Sequence, residues 1–172
     1  YGRVSHKFGN GCNIMSLASE IVKLATNANV KITSAESCTG GMISAALTDV
    51  VGSSVVFEQG FVTYSNLAKT NMLLVSKVTL QQYGAVSEPV AAEMATGALS
   101  AARADIAISV SGIAGPGGSD SKPEGRVCFC LTSNHVTQSK TVEFGPLGRQ
   151  NVRQAATNHA LELIFAHLKT AY

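Results

Sequence analysis

Thr33-Ser34-Ala35-Glu36-Ser37-Cys38-Thr39-Gly40-Gly41 is the stretch whose reading decides the fold. The β-branched run Val30-Lys31-Ile32-Thr33 leads into it, and the helical pattern Met42-Ile43-Ser44-Ala45-Ala46-Leu47 leaves it. Open α/β sheets bind ligands at such a strand-to-helix turn, where backbone N–H groups of the helix start point outward. Gly40 and Gly41 let that backbone approach a ligand with no Cβ in the way. Ser37, Cys38 and Thr39 can cap the helix or take part in nucleophilic chemistry. Read alone, the stretch fits a capped turn as well as it fits a site.

The same alternation continues on both sides. Before the motif, Leu17, Ile21, Leu24 and Ala25 recur at helical spacing until Asn27-Ala28-Asn29. After it, the helix runs to about Asp49 and Gly52-Ser53-Ser54 breaks it. Val55-Val56-Phe57 with Gly60-Phe61-Val62-Thr63-Tyr64 reads as a strand. Ser65 caps a helix that carries Lys69 one turn in; Ser76 starts a short helix that Gly84 stops; Ser87, with Pro89 in the first turn, starts an alanine-rich helix to about Arg103. Asp105 to Ser111 is a nearly continuous apolar run, as expected of a central strand buried on both faces. A loop over 112–125, five of its 14 residues glycine, is long enough to be functional. Arg126 to Ser133 and about Thr137 to Phe144 form a hairpin around Asn134-His135. A final helix from about Gln150 to Leu168 turns Val152, Ala155, Ala156, Ala160, Leu163, Ile164 and Leu168 inward.

The pattern is α/β with helices on both faces, and the late hairpin makes the sheet mixed. Residues 1–14 lack periodicity and the apolar segment of a signal peptide; they read as a disordered upstream extension or an expression remnant, leaving 15–172 as one domain. Composition narrows the function classes. The chain has 172 residues, 45% hydrophobic and 14% charged, with net charge +2 and no Lys/Arg cluster, so no basic nucleic-acid footprint is present. No apolar run reaches the ~18 residues a membrane span needs. Cys12, Cys38, Cys128 and Cys130 show no metal-ligand spacing, and a reducing cytoplasm suits them better than a disulfide scaffold. Cys128 and Cys130 alternate onto one strand face, as core residues do.

Three polar turns each follow a strand, at 36–41, 64–69 and 111–118, and can line one crevice. A serine needs a partner to attack near neutral pH. None of the histidines (His6, His135, His159, His167) lies on these turns, so a Ser-His-Asp arrangement is poorly supplied. Lys69 is the alternative base if burial lowers its pKa; otherwise it is a solvated helix lysine. Tyr64 can relay or orient a proton. Ser37 and Cys38 compete as nucleophile, the helix start favouring a thiolate. Arg149 opens the last helix, either as a clamp for phosphate or carboxylate or as a surface arginine. The 112–118 glycines lack the Gly-Lys-Ser/Thr of a phosphate loop and the dinucleotide spacing, which leaves a backbone anion nest.

The motifs Thr33–Gly41, Gly52-Ser53-Ser54, Gly60–Asn66 with Lys69, Gly84–Glu88, Ser111–Pro116 and Lys122-Pro123 together resemble the CinA C-terminal domain family, over about Ser16 to the C-terminus. That resemblance implies a three-layer α/β/α sandwich with a mixed, mostly parallel five-stranded sheet. It implies an amidase like the family's stand-alone PncC-type members, a hydrolase of the pyridine nucleotide cycle that converts nicotinamide mononucleotide to nicotinic acid mononucleotide and ammonia. No cofactor and no metal would be required. It places the nucleophile on Ser37, its partner on Lys69, and Tyr64 beside them. Thr39, Gly40, Gly41, Ser54, Ser111, Gly112 and Arg149 would bind substrate, the two glycine amides serving the oxyanion or the phosphate. A cytoplasmic homodimer or higher homo-oligomer that binds a small nucleotide, and neither nucleic acid nor membrane, completes the expectation. The rival from another class is a nucleotide- or partner-binding module without turnover, since the family name is tied to competence and DNA damage.

Three positions depart from the family pattern. Its late motif usually reads Phe-x-Gly-Asp-Arg, whereas this chain has Phe144-Gly145-Pro146-Leu147-Gly148-Arg149, without the acid and one residue longer. Val-Gly-Thr usually follows Lys-Pro, and here the residues are Glu124-Gly125-Arg126, with Arg126 either near the loop or facing water. Leu67 stands where the family usually has Glu, an exposed change.

Overall fold

A computed structural model describes residues 11–119 and 121–172, with side chains from residue 16 onward. The expectation for residues 1–10 lies outside the described residues. Helix α1 (Gly11–Ala28) begins upstream of Leu17, where the helical spacing starts, and takes in residues 11–14. The order then runs β1 (Ile32–Glu36), α2 (Met42–Thr48), a 3-10 turn (Ser53–Val55), β2 (Phe57–Val62), α3 (Asn66–Leu73), α4 (Lys77–Tyr83), α5 (Glu88–Ala102), β3 (Ile106–Gly112), β4 (Arg126–Ser133), β5 (Thr137–Glu143) and α6 (Arg149–Ala171).

The sheet order is β2-β1-β3-β4-β5. β1 pairs in parallel with β2 and with β3, while β4 runs antiparallel to both β3 and β5. Four strands therefore share one direction and β4 alone opposes it, the mixed sheet that was expected. One face is covered by α1, α2 and α6, whose apolar residues Ile21, Ile43, Leu47, Val152, Ile164 and Leu168 meet Ile32, Ile108 and Phe129. The other is covered mainly by α3 and α5, where Leu73, Val90, Met94 and Ala98 meet Ala35, Ala107, Cys128 and Cys130. Both late cysteines thus share one core face, as their alternation requires.

Local signals set most boundaries. Ser65 accepts from the Ala68 N–H, Ser76 from Val78 and Thr79, and Ser87 from Val90, so all three anticipated caps form. The departures have physical causes. β1 runs three residues deeper into the polar motif than its β-branched run suggests, because it sits between two strands and all five of its residues are buried. Val55 and Val56 leave the second strand because Gly52, at φ 86°, starts a 3-10 turn that Val56 caps. On α6, Thr157 and Leu161 are buried while Ala155 and Leu163 lie half-buried on the flank, so the inward stripe is rotated from the expected one.

Gly97 decides how closely α5 approaches the end of α3. A Cβ there would collide with the Leu73 backbone carbonyl. Gly97→Ala should therefore destabilise the fold by about 1–3 kcal/mol, overpacking outweighing alanine's helix preference of ~1 kcal/mol. Thermal melts check this; an unchanged or raised midpoint would mean that α3 can shift away at no expense.

Candidate functional site: a buried Ser–Lys pair at the strand ends

The parallel register sets Glu36 beside Val62 on one side and Val110 on the other, so β1, β2 and β3 release their chains at the same edge of the sheet. Ser37, Tyr64, and Ser111 with Gly112 emerge there. The Ser37 N–H donates to Val110 O at 2.9 Å, and the Gly40 N–H donates back to Ser37 O at 3.2 Å, closing a tight turn. Gly40 and Gly41 take φ of 61° and 100°, conformations that suit glycine. Glu36, fully buried, accepts from the N–H groups of Gly41, Ile43 and Ser44 and from the hydroxyls of Ser34 and Ser44. Its carboxylate therefore occupies the start of α2.

Lys69 arrives from α3, with Ser65 as the cap one turn before it. Its side chain is 1% exposed. Nζ lies 3.0 Å from Ser37 Oγ, 2.9 Å from Thr63 O and 3.4 Å from Tyr64 O. Among the described residues no carboxylate is in ion-pair contact with it. Burial lowers its pKa from 10.5 to about 8, with the Cys38 sulfur opposing that shift. The solvated-lysine reading is thereby replaced. Three partners suit an ammonium as three acceptors. They equally suit a neutral amine that donates twice to carbonyls and presents its lone pair to the serine O–H.

Cys38 takes the opposite course. Burial pushes its thiol up to about 12, despite the nearby Lys69 and Arg153 charges. The expected thiolate is not favoured, since the amides that start α2 already hold Glu36 and that carboxylate repels a second anion.

Ser37, Cys38, Tyr64, Lys69, Ala85, Val86, Ser111, Gly112, Ala114 and Arg149 line a pocket of about 230 Å³. A larger groove of about 850 Å³ between β5 and α6 contains none of the anticipated site residues. The Tyr64 phenol does not reach Lys69. Its oxygen accepts from Arg149 Nη2 at 2.8 Å, while Arg149 Nη1 donates to Gly115 O at 3.0 Å, so the two side chains bridge the pocket mouth. Ser111 Oγ donates to Ala85 O at 2.7 Å.

Four anticipated ligands stand elsewhere. The Thr39 side chain is fully buried, outside the pocket lining, with Oγ1 unpartnered. The Gly40 and Gly41 amides are held by Ser37 O and by Glu36. Ser54 is exposed before β2, at the far end of the sheet, roughly 20 Å from Ser37 for a strand rising ~3.3 Å per residue. Arg126 pairs with Glu143 at 2.6 Å across β4 and β5, and Leu67 is exposed as expected.

Three side chains to which the sequence reading gave no role, Arg153 being unremarked there altogether, shape the site. Arg153 donates to the carbonyls of Cys38 and Thr39. Lys122 ties the long loop to Tyr83 O and Val86 O. Glu124 accepts from Gly117 N and from Gly148 N, the residue before α6. It thus brings a carboxylate to the helix start where the late motif lacks its acid. The available signals were the i, i+4 spacing of Arg153 to Arg149 and the two unexplained loop charges. Among the described residues no three His, Cys, Asp or Glu side chains gather as a metal site, and no helix is long and apolar enough to cross a membrane.

Fold and site together define a class: a three-layer α/β/α domain with a buried serine–lysine pair at the C-terminal edge of its parallel strands. The CinA C-terminal domain model matches residues 14–168, and the chain belongs to that family. It is 48% identical over 153 residues to the nicotinamide-nucleotide amidohydrolase PncC of Escherichia coli K12, covering 88% of this chain and 93% of that protein. A CinA-like protein of Shewanella pealeana is 42% identical over 154 residues, 89% of this chain but 36% of its own length. The crystal structure of the competence/damage inducible protein CihA from Agrobacterium tumefaciens has a TM-score of 0.88 at 42% identity, covering 96% of this chain and 99% of that one.

Lys69 burdens the fold while it is charged. Its folded pKa of about 8 lies below the unfolded 10.5, so the unfolded chain binds the extra proton between those values. The penalty, roughly 3 kcal/mol, is complete below pH 8 and fades as pH rises toward 10.5. Lys69→Met removes it but orphans the Thr63 carbonyl, which returns about 1–2 kcal/mol. The variant should melt a few degrees above wild type at pH 7, and that gain should shrink by pH 10. An equal gain at both pH values would show that the lysine is not held in this state.

Proposed function

We propose that the chain hydrolyses the carboxamide of nicotinamide mononucleotide to nicotinic acid mononucleotide and ammonia. The observation that carries the reading is Lys69, 1% exposed, without an anionic partner among the described residues and 3.0 Å from the Ser37 hydroxyl. A fold retains such a strained amine where its neutral form is used. The 48% identity to an enzyme named for this reaction supplies the substrate class.

In this mechanism Ser37 Oγ attacks the amide carbon as its proton passes directly to neutral Lys69 Nζ. The resulting ammonium returns the proton to the nitrogen as the C–N bond breaks, so ammonia leaves and an ester on Ser37 remains. Water then attacks that ester with Lys69 again taking the proton, and Ser37 is released with the proton back on its oxygen. Cys38, a protonated neighbour, takes no part in the attack. The pyridine enters the pocket beside Ser37. Arg149 meets the phosphate by exchanging its bonds to Tyr64 and Gly115 for phosphate oxygens, and the backbone near Ser111 and Gly112 holds the ribose.

Ammonia release from the purified chain given nicotinamide mononucleotide tests this. Ser37→Ala should lose at least about 10³-fold in kcat. The wild-type kcat/KM should rise with pH and level off above about 8, as Lys69 gives up its proton. A Ser37→Ala variant that keeps its activity, or a pH profile flat from 6 to 9, overturns the mechanism. Nucleotide binding without ammonia release would assign the chain to the non-catalytic module instead.

A further inference from the structure

The mechanism needs donors for the oxygen of the tetrahedral intermediate, and the two glycine amides once expected there are held by Ser37 O and Glu36. The N–H groups of Cys38 and Thr39 have a different status. Among the described residues no other residue accepts from the N–H of pocket-lining Cys38, directly after Ser37, and none takes the N–H of Thr39, fully buried one position further on. The peptide of Thr39 is nonetheless anchored from the other side. Arg153 Nε donates to the Cys38 carbonyl at 3.0 Å and Nη2 to the Thr39 carbonyl at 2.9 Å. The Cys38–Thr39 peptide is trans, and in a planar trans peptide C=O and N–H point in opposite directions. Pinning the Cys38 carbonyl toward α6 therefore fixes the Thr39 N–H away from α6. Pinning the Thr39 carbonyl does the same for the Gly40 N–H, which duly meets Ser37 O.

We infer that Arg153 is a positioning residue for catalysis: its guanidinium aligns the peptide planes after Ser37 so that an amide following the nucleophile is presented to the developing oxyanion. The inference rests on the serine mechanism above. It is chemically economical, since a strand-to-helix turn that carries a nucleophile commonly recruits a backbone N–H just after it. A planar fork suits the task because two adjacent carbonyls, both pointing at α6, need two donors in fixed relation. Arg153 also stands one helical turn after Arg149, so one face of α6 would serve both ends of the substrate, Arg149 the phosphate and Arg153 the reacting carbonyl through the backbone.

The test compares Arg153→Met and Arg153→Lys with wild type, using nicotinamide mononucleotide as substrate and thermal melts to establish folding. Donors of this kind are used mainly in the transition state, so Arg153→Met should lose about 100-fold in kcat with KM changed less than about 2-fold. The rise of kcat/KM toward pH 8 should persist, because Lys69 is untouched. Arg153→Lys, which keeps the charge and can still donate to one carbonyl, should recover part of the loss. Should Arg153→Met fail to fold, Arg153→Lys decides alone: a kcat loss at constant KM supports the inference, and wild-type kcat overturns it. A rise in KM at constant kcat also overturns it, since that marks ground-state binding. Wild-type protein that releases no ammonia, or Ser37→Ala that still does, overturns the serine mechanism and this inference together. A chain that needs Ser37 but tolerates both Arg153 variants overturns this inference alone.

Discussion

The buried carboxylate of Glu36 is the constraint on which the pocket edge of the sheet depends. It stands at the end of β1, between β2 and β3, and takes three backbone amides and two hydroxyls. Hydrogen bonds to a charged acceptor are worth ~1.5–3 kcal/mol each, enough to offset the desolvation of a single anion when several converge. Two consequences follow from its place. The chain must reverse within five residues to bring Gly41 back to it, which is why two left-handed glycines follow Thr39. Burial keeps the Cys38 thiol protonated, and the negative charge at the start of α2 adds to that effect.

Lys69 is held on different terms. Glu36 is satisfied by many donors, whereas Lys69 is buried with neutral acceptors only. Desolvation is then unopposed by a counterion, and the amine is driven toward its uncharged state. The two groups differ in kind: Glu36 is held by converging donors that shape the turn, whereas Lys69 has acceptors without a counterion among the described residues, so burial lowers its pKa. Because α3 is anchored by Ser65 at its start and by contact with Gly97 near its end, Lys69 has little freedom to swing out into water.

The pocket mouth shows how this chain differs from its family pattern while retaining the same architecture. The late motif lacks its usual acid, yet Glu124 brings a carboxylate to Gly148 N at the start of α6. The same side chain takes Gly117 N, so one loop residue fastens both the glycine-rich segment and the helix that carries Arg149 and Arg153. Lys122, two residues earlier, ties that loop to the turn before α5. A long loop is thereby fastened by its own charged residues in addition to Ile113 and Ala114, which pack on the core.

Much of this was legible in the sequence, and the division follows the range of the interactions. Helix starts at Ser65, Ser76 and Ser87 could be read because a cap and its amide lie within three residues. The buried run of β3 and the paired cysteines of β4 follow from strand periodicity alone. The sequence by itself therefore determined the elements, their order and the polar turns at the strand ends. Only the tertiary structure decided which of those groups meet. Lys69 lies 32 residues from Ser37, and Arg153 lies 115 from Cys38. Whether a lysine is solvated or stripped of water, and whether a hydroxyl such as Thr39 or Ser54 faces a pocket, the core or solvent, depends on packing by distant segments that no local pattern encodes.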